Sequence, residues 1–256
     1  PAELGQFPAA AVIFRKQLVR EADVVASVNV NLEDMFSLKG APARTNRLGD
    51  FVRAAEGRQE SKSTHPAVEN ALLAIGKVRY DYNEDPSRAQ LPDLARWLDS
   101  REGVITSANG ETRWEYRRGI FAVTAPAAQG ATGFLKSAGT VELPSMSISS
   151  DMEFGSIIAV SLDDRPLSES RRILLQLASE QRNTGWEVSG ETGGLKTIRS
   201  VGTMPIQYRE FSGTVRFAQP VASVRAFDFN GREVKKLPAG QAVQLDRALP
   251  YYLLER

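Results

Sequence analysis

The chain has 256 residues, 42% hydrophobic and 25% charged, which is ordinary globular usage and argues against disorder. Lys plus Arg total 32 against 31 for Asp plus Glu, so the clustered positive excess that marks a nucleic-acid or anionic-membrane partner is missing. No apolar run is long enough to cross a bilayer, and the absence of cysteine removes disulfides, thiol nucleophiles and cysteine-ligated metals.

Pro1, with neither an initiator Met nor a signal peptide ahead of it, is expected of a processed product or a piece of a longer protein. Pro8 to Phe14 is apolar and fits either a buried helix or a strand, which periodicity does not separate. Val24 to Val30 is rich in β-branched residues and predicts a strand, and Gly40 to Gln59 reads as a polar surface connection. His65-Pro66 opens a predicted helix with Val68, Ala71, Leu72 and Ile75 on one face, and Gly76 is placed to stop it. Lys77 to Tyr82 then alternates as a strand, and Pro92 starts a short helix with Leu94, Ala95, Trp97 and Leu98 as its stripe.

Beyond Gly103 the pattern becomes one of short strands and turns. Asn109-Gly110 joins Val104-Ile105-Thr106 to a strand through Trp114 and Tyr116, and Phe227 to Arg232 carries a second Asn-Gly turn. Residues 120–124, 140–143, 156–162, 172–177 and 251–254 are further strands. The expected fold is mainly β: a mixed α/β segment over residues 1–100, then an antiparallel β-sandwich or jelly roll over 101–256.

No catalytic constellation stands out, and whether the chain is an enzyme is left open. His65 is the only histidine, which excludes histidine-built zinc sites by count and reads as a helix-start or surface residue rather than a hydrolase base. Glycoside hydrolysis needs paired carboxylates, and the acids here are Glu111 with Glu115, Asp151 with Glu153, Asp163 with Asp164, and Glu210. Asp163-Asp164 reads as a turn, and Glu115 as part of a solvated charge ladder with Arg113 and Arg117. No acid spacing matches a calcium loop. The glycines at 129–133 and 190–194 lack the lysine of a phosphate loop, and Arg171-Arg172 and Lys235-Lys236 read as solvated doublets. No metal, no cofactor and no catalytic residue is therefore assigned. The aromatics suggest carbohydrate contact, because sugar rings stack on exposed Trp and Tyr faces. Trp97 lies on an apolar stripe and is assigned to the core. Trp114 and Tyr116 share a strand face that fits a platform or, as the expected reading, a buried sheet face, and Trp186 follows Asn183-Thr184-Gly185 in an apparent loop. Trp186, Trp114 and Tyr116 are the carbohydrate-contact candidates.

Several stretches, in order along nearly the whole chain, resemble the C-terminal region of large bacterial proteins with a clan-A glycoside hydrolase barrel. They are Arg113 to Pro126, Gln129 to Leu135, Ser161 to Leu167, Arg171 to Leu175 and Asn183 to Trp186. The opening Gln6 to Arg15 is similar to the segment that leaves the last barrel helix in such proteins. The resemblance implies an accessory, non-catalytic β-sandwich that stabilises an upstream catalytic barrel or meets another subunit, and that contacts polysaccharide. A stand-alone carbohydrate-binding or assembly module is the alternative. It also implies a secreted or periplasmic setting. The two barrel glutamates would lie upstream, since eight strand–helix units need roughly 250 residues, so no catalytic residue carries over to this chain.

Overall fold

The computed structural model describes residues 7–37, 71–192 and 195–256. The expected surface connection at 40–59 and the predicted helix start at His65-Pro66 lie outside the described residues. The chain is mainly β, as its strand-and-turn pattern predicts. It divides into two compact units: residues 20–117, and residues 1–19 with 118–256. This division follows different lines from the boundary expected at residue 100. The strands between Gly103 and Arg117 belong to the smaller unit, and the first helix belongs to the larger one.

The first helix, α1 (Phe7–Lys16), settles the ambiguity of the opening apolar run in favour of a helix. In the smaller unit, β1 (Val24–Asn31) is followed by α2 (Leu32–Phe36), which the Asn31 side chain caps by accepting the Asp34 N–H at 3.1 Å. Helix α3 (Ala71–Ile75) ends at Gly76, whose N–H donates to the Leu72 carbonyl. A Cβ at Gly76 would lie 2.7 Å from Val25 Cγ1 and 2.9 Å from the Asp23 carbonyl, so the close approach of chain segments requires glycine there. Strand β2 (Lys77–Asn83) runs parallel to β1, and β3 (Arg88–Gln90) pairs antiparallel on β1's other edge. The helix expected from Pro92 is only a 3-10 turn over Leu94–Arg96, capped by Asp93, because Leu98 already belongs to β4 (Leu98–Asp99). Strands β5 (Val104–Thr106) and β6 (Thr112–Glu115) form the hairpin predicted at Asn109-Gly110. The core of this unit is Ala26, Val28, Val30, Leu72, Ile75 and Ile105, with Trp97 packed against it as expected.

The larger unit begins again with β7 (Ile120–Ala125), β8 (Ala128–Gly133) and a single helical turn, α4 (Leu135–Ala138). Strands β9 (Val141–Glu142), β10 (Met146–Ser149), β11 (Gly155–Ser161) and β12 (Arg172–Ser179) follow. Next come the long strands β13 (Gln181–Thr192) and β14 (Leu195–Tyr208). The unit closes with β15 (Thr214–Val221), β16 (Ser223–Phe227), β17 (Glu233–Leu237), β18 (Gly240–Gln244) and β19 (Tyr251–Glu255). One antiparallel sheet has the order β17-β16-β19-β12-β11-β8-β7, and a four-stranded antiparallel sheet has the order β18-β15-β10-β9.

The registers explain why the two sheets bury each other. In the large sheet Ala159, Leu175, Tyr252 and Ala226 stand side by side on consecutive strands, as do Ile173, Leu254 and Val224. In the smaller sheet Ile148, Val215 and Val243 line up, with Met146 beside Phe217. All of these join one buried cluster, so alternation has aimed one face of each sheet at the other. Phe217 and Tyr252 are almost fully buried; Phe217 contributes about 2–3 kcal/mol of transfer free energy, and the Tyr252 hydroxyl is satisfied by the Asp246 N–H at 2.7 Å. The opposite face of the large sheet carries Val160, Ile158 and Leu174, against which Ala9, Val12 and Ile13 of α1 pack. Gln176 fixes that helix by accepting the Ala9 N–H at 2.8 Å.

Strands β13 and β14 pair only with each other and form a ribbon about 40 Å long at the usual strand rise. Its base is tied to the sandwich by the Arg209 N–H on the Glu180 carbonyl and the Ser179 hydroxyl on the Arg209 carbonyl. One face sets Trp186 opposite Val201 and Val188 opposite Ile198.

Candidate functional site

Of the acids considered for hydrolysis, Asp163, Glu111 and Glu115 are held by internal donors, whereas Glu153 and Glu210 are exposed and make only long ion pairs, at 3.4 and 3.6 Å. Ser161 at the end of β11 and Ser170 just before β12 are both fully buried, and each donates its hydroxyl to Asp163 Oδ1, at 2.9 and 2.6 Å. Asp163 Oδ2 accepts the Arg171 N–H at 2.8 Å. Burial alone would raise the Asp163 carboxyl, but the bonds from Ser170, Arg171 and Ser161 outweigh it and hold the pKa at about 2. Arg256 adds a second tie to this connection, donating from Nη1 to the Leu167 and Ser170 carbonyls at 2.7 and 3.2 Å. The turn reading of Asp163-Asp164 agrees with this geometry, Asp164 taking the left-handed φ of 61°.

Glu111 and Glu115 are both buried in the smaller unit. Glu111 accepts the Arg20 backbone N–H at 2.6 Å and Arg20 Nε at 2.5 Å. Glu115 bridges to Arg113 Nη2 at 2.7 Å. The expected solvated ladder is therefore corrected: Glu115 is 6% exposed, while Trp114 and Tyr116, expected to be buried, are 39% and 36% exposed. The strand alternates as predicted with its two faces exchanged, because Arg113 lies two residues from Glu115 on the same face and offsets its charge as it is buried. Trp114 and Tyr116 meet edge to face with ring centroids 6.1 Å apart. Elsewhere in this unit, a cleft of about 390 Å3 is lined by Arg96, Trp97, Asp99, Arg101 and Thr106, and neither Trp114 nor Tyr116 lines it.

Trp186 does not sit in a loop. It is a half-buried residue of β13, and Gly185, with a φ of 74°, marks an irregularity inside the ribbon rather than the end of a strand. Across the ribbon, a Cβ on Gly202 would lie 2.4 Å from the Thr184 carbonyl, so the strands approach too closely there for any side chain. The three aromatic candidates are thus split between an outward pair in one unit and a ribbon face in the other.

Sequence reasoning missed an aromatic group assembled from distant segments. Tyr208 stacks on Phe211 at 5.5 Å and 22° and meets Phe229 at 4.7 Å, and Phe229 meets Tyr251 at 6.4 Å. Phe211 is buried, while Tyr208 and Phe229 are 37% and 38% exposed. Phe211 also floors a second cleft, of about 330 Å3, that includes Asp151 and Arg247. No local signal marks either feature, because their members meet only through the tertiary fold. Among the described residues no cluster of three or more His, Cys, Asp or Glu side chains is placed to hold a metal ion, and no helix is long and apolar enough to cross a membrane.

No family model matches the chain, and no curated protein or solved structure matches it either.

Proposed function

We propose that this chain is an accessory β-sandwich region of a bacterial glycoside-hydrolase-like protein, supporting its barrel and holding polysaccharide against exposed aromatic rings. The parent protein is inferred from the ordered resemblance. The contact reading is carried by the outward Trp114–Tyr116 pair, two large rings held edge to face at 6.1 Å on the solvent side of β6. Such rings give up water readily and offer flat apolar faces to the C–H side of a sugar, with polar groups at hand for its hydroxyls. Three of the candidate acids support the same reading, since Asp163, Glu111 and Glu115 spend their oxygens on internal donors.

Affinity electrophoresis through gels containing xylan, mixed-linkage β-glucan, galactan or galactomannan tests it. The chain is expected to be retarded by at least one of them, with weaker retardation after Trp114→Ala, and to leave aryl glycosides uncleaved. Free migration in every gel would remove the contact reading. Enzymatic hydrolysis abolished by substituting the chain's own acids would remove the accessory one.

A second reading, an assembly module, is favoured by the ribbon. Val188, Ile198 and Val201 are 41%, 53% and 64% exposed on one face, more apolar surface than an isolated two-stranded ribbon carries comfortably in water. Sedimentation of the wild type beside Val201→Asp decides it: a concentration-dependent oligomer dispersed by the substitution supports assembly, and a monomer in both cases removes self-assembly.

A further inference from the structure

The cleft floored by Phe211 lies where three connections of the sandwich converge: the residues between β10 and β11, those between β14 and β15, and those between β18 and β19. Phe211 and Leu245 form its apolar base and are 1% and 6% exposed. Internal hydrogen bonds fix its walls. The Ser150 hydroxyl donates to the Ser212 carbonyl at 2.6 Å, the Thr214 hydroxyl to Gln244 Oε1 at 2.8 Å, and Gln244 Nε2 to the Gly213 carbonyl at 3.0 Å.

Other polar groups in the cleft are not committed. The Asp151 carboxylate and the Ser149 and Ser212 hydroxyls make no hydrogen bond or ion pair with the described residues. Arg247 is 80% exposed, and its one side-chain ion pair among the described residues is a long one with Glu210, at 3.6 Å. The aromatic group continues from the floor outwards, Phe211 onto Tyr208 and Tyr208 onto Phe229. The Tyr208 hydroxyl donates to the Ala248 carbonyl at 3.3 Å, which ties this aromatic rim to the connection that carries Arg247.

This combination selects a class of ligand. A carboxylate only accepts hydrogen bonds and a guanidinium only donates them, whereas each sugar hydroxyl does both and can satisfy either. An anion would meet the Asp151 charge and a cation the Arg247 charge, which the exposed Glu210 at 3.6 Å offsets only weakly, so the pair favours a neutral, hydroxyl-rich molecule. The cleft volume is at the small end for a ligand site and suits a saccharide unit. We propose that this cleft is a carbohydrate subsite for a neutral sugar residue, held between Asp151 and Arg247 over Phe211, with the adjoining sugar stacked on Tyr208 and Phe229. The inference rests on the polysaccharide-contact reading and places a site for it in the sandwich itself, apart from Trp114 and Tyr116.

The test uses the full chain and the same neutral gels, with polygalacturonate as an anionic control. Asp151→Ala, Arg247→Ala and Tyr208→Ala are each expected to weaken binding roughly tenfold or more, the usual loss for a hydrogen bond to a charged group or a stacked ring. Unchanged melting curves would show that the fold is intact. If Trp114→Ala abolishes binding and the three cleft variants bind as the wild type does, the cleft inference falls and the contact reading stands. If the wild type binds none of the polysaccharides, both fall. Preferential binding of polygalacturonate, lost in Arg247→Ala and strengthened in Asp151→Ala, would overturn the neutral-sugar assignment.

Discussion

Asp151 precedes β11 and Asp163 follows it, so the two carboxylates stand beyond opposite ends of one strand, and they differ in what their oxygens meet. Asp163 accepts two serine hydroxyls and a backbone N–H, all within 2.9 Å. Asp151 faces an open cleft with none of its oxygens engaged by the described residues. The same residue type thus closes a connection at one end of the sheet and presents a charge to solvent at the other. Residue type alone does not distinguish a structural acid from one available to a ligand. The number of internal donors does.

The largest expected effect is at Asp163. Replacing it with Ala strands the Arg171 N–H and removes the charged acceptor that the buried Ser161 and Ser170 hydroxyls share, leaving Ser170 the Arg172 carbonyl at 2.9 Å and Ser161 the Ser170 hydroxyl at 3.3 Å. Losing hydrogen bonds to a charged group, moderated by the side chain's partial exposure, should cost about 2–3 kcal/mol in urea unfolding. A loss below about 0.5 kcal/mol, the range of ordinary surface substitutions, would erase the distinction between the two ends.

The same carboxylate carries a pH signature. Its folded pKa of about 2 lies below the ordinary value of 3.8, so protons favour the unfolded chain. Its contribution is complete above roughly pH 4 and disappears as the pH falls towards 2. The difference in melting temperature between wild type and Asp163→Asn should therefore narrow across that window. A constant difference down to pH 2 would mean that the ionised form is not what holds the connection.

Ser170→Ala sharpens the clamp side at a smaller scale. Asp163 keeps Ser161 and the Arg171 N–H, and one hydroxyl bond disappears together with the group that made it. About 1 kcal/mol is expected, measured by the same unfolding curves. A loss equal to that of Asp163→Ala would show that the serine, rather than the acid, organises the connection.

What could be read from the sequence follows how local each signal is. The hairpin at Asn109-Gly110, the strand from Val24 and the turn at Asp228 to Gly231 are short-range, and the structure matches them. The alternation around Trp114 was legible, but its direction was not. Which face turns inwards depends on Arg113 and Glu115 neutralising each other, a pairing that a preference for buried aromatics does not anticipate. Gly185 looked like loop punctuation before Trp186, yet in a long ribbon a left-handed glycine also accommodates an irregularity without ending the strand. The cleft could not have been found by inspection along the chain. Asp151, Phe211 and Arg247 belong to three connections whose meeting depends on the sandwich topology.

The smallest expected effect belongs to Asp151, and it is the sharpest test of the comparison. Removing an exposed carboxylate without internal partners takes away no hydrogen bond and opens no cavity, so Asp151→Ala should leave unfolding free energy within about 0.5 kcal/mol of the wild type. Met152, the next residue, is buried and its N–H is held by the Ser150 hydroxyl at 3.1 Å, so the backbone there is fixed independently of the Asp151 side chain. A loss of more than about 1 kcal/mol would reveal a structural role like that of Asp163 and would collapse the contrast between the two ends. Stability unchanged while binding is lost is the outcome that a carboxylate aimed at a ligand requires, and a structural acid cannot produce it.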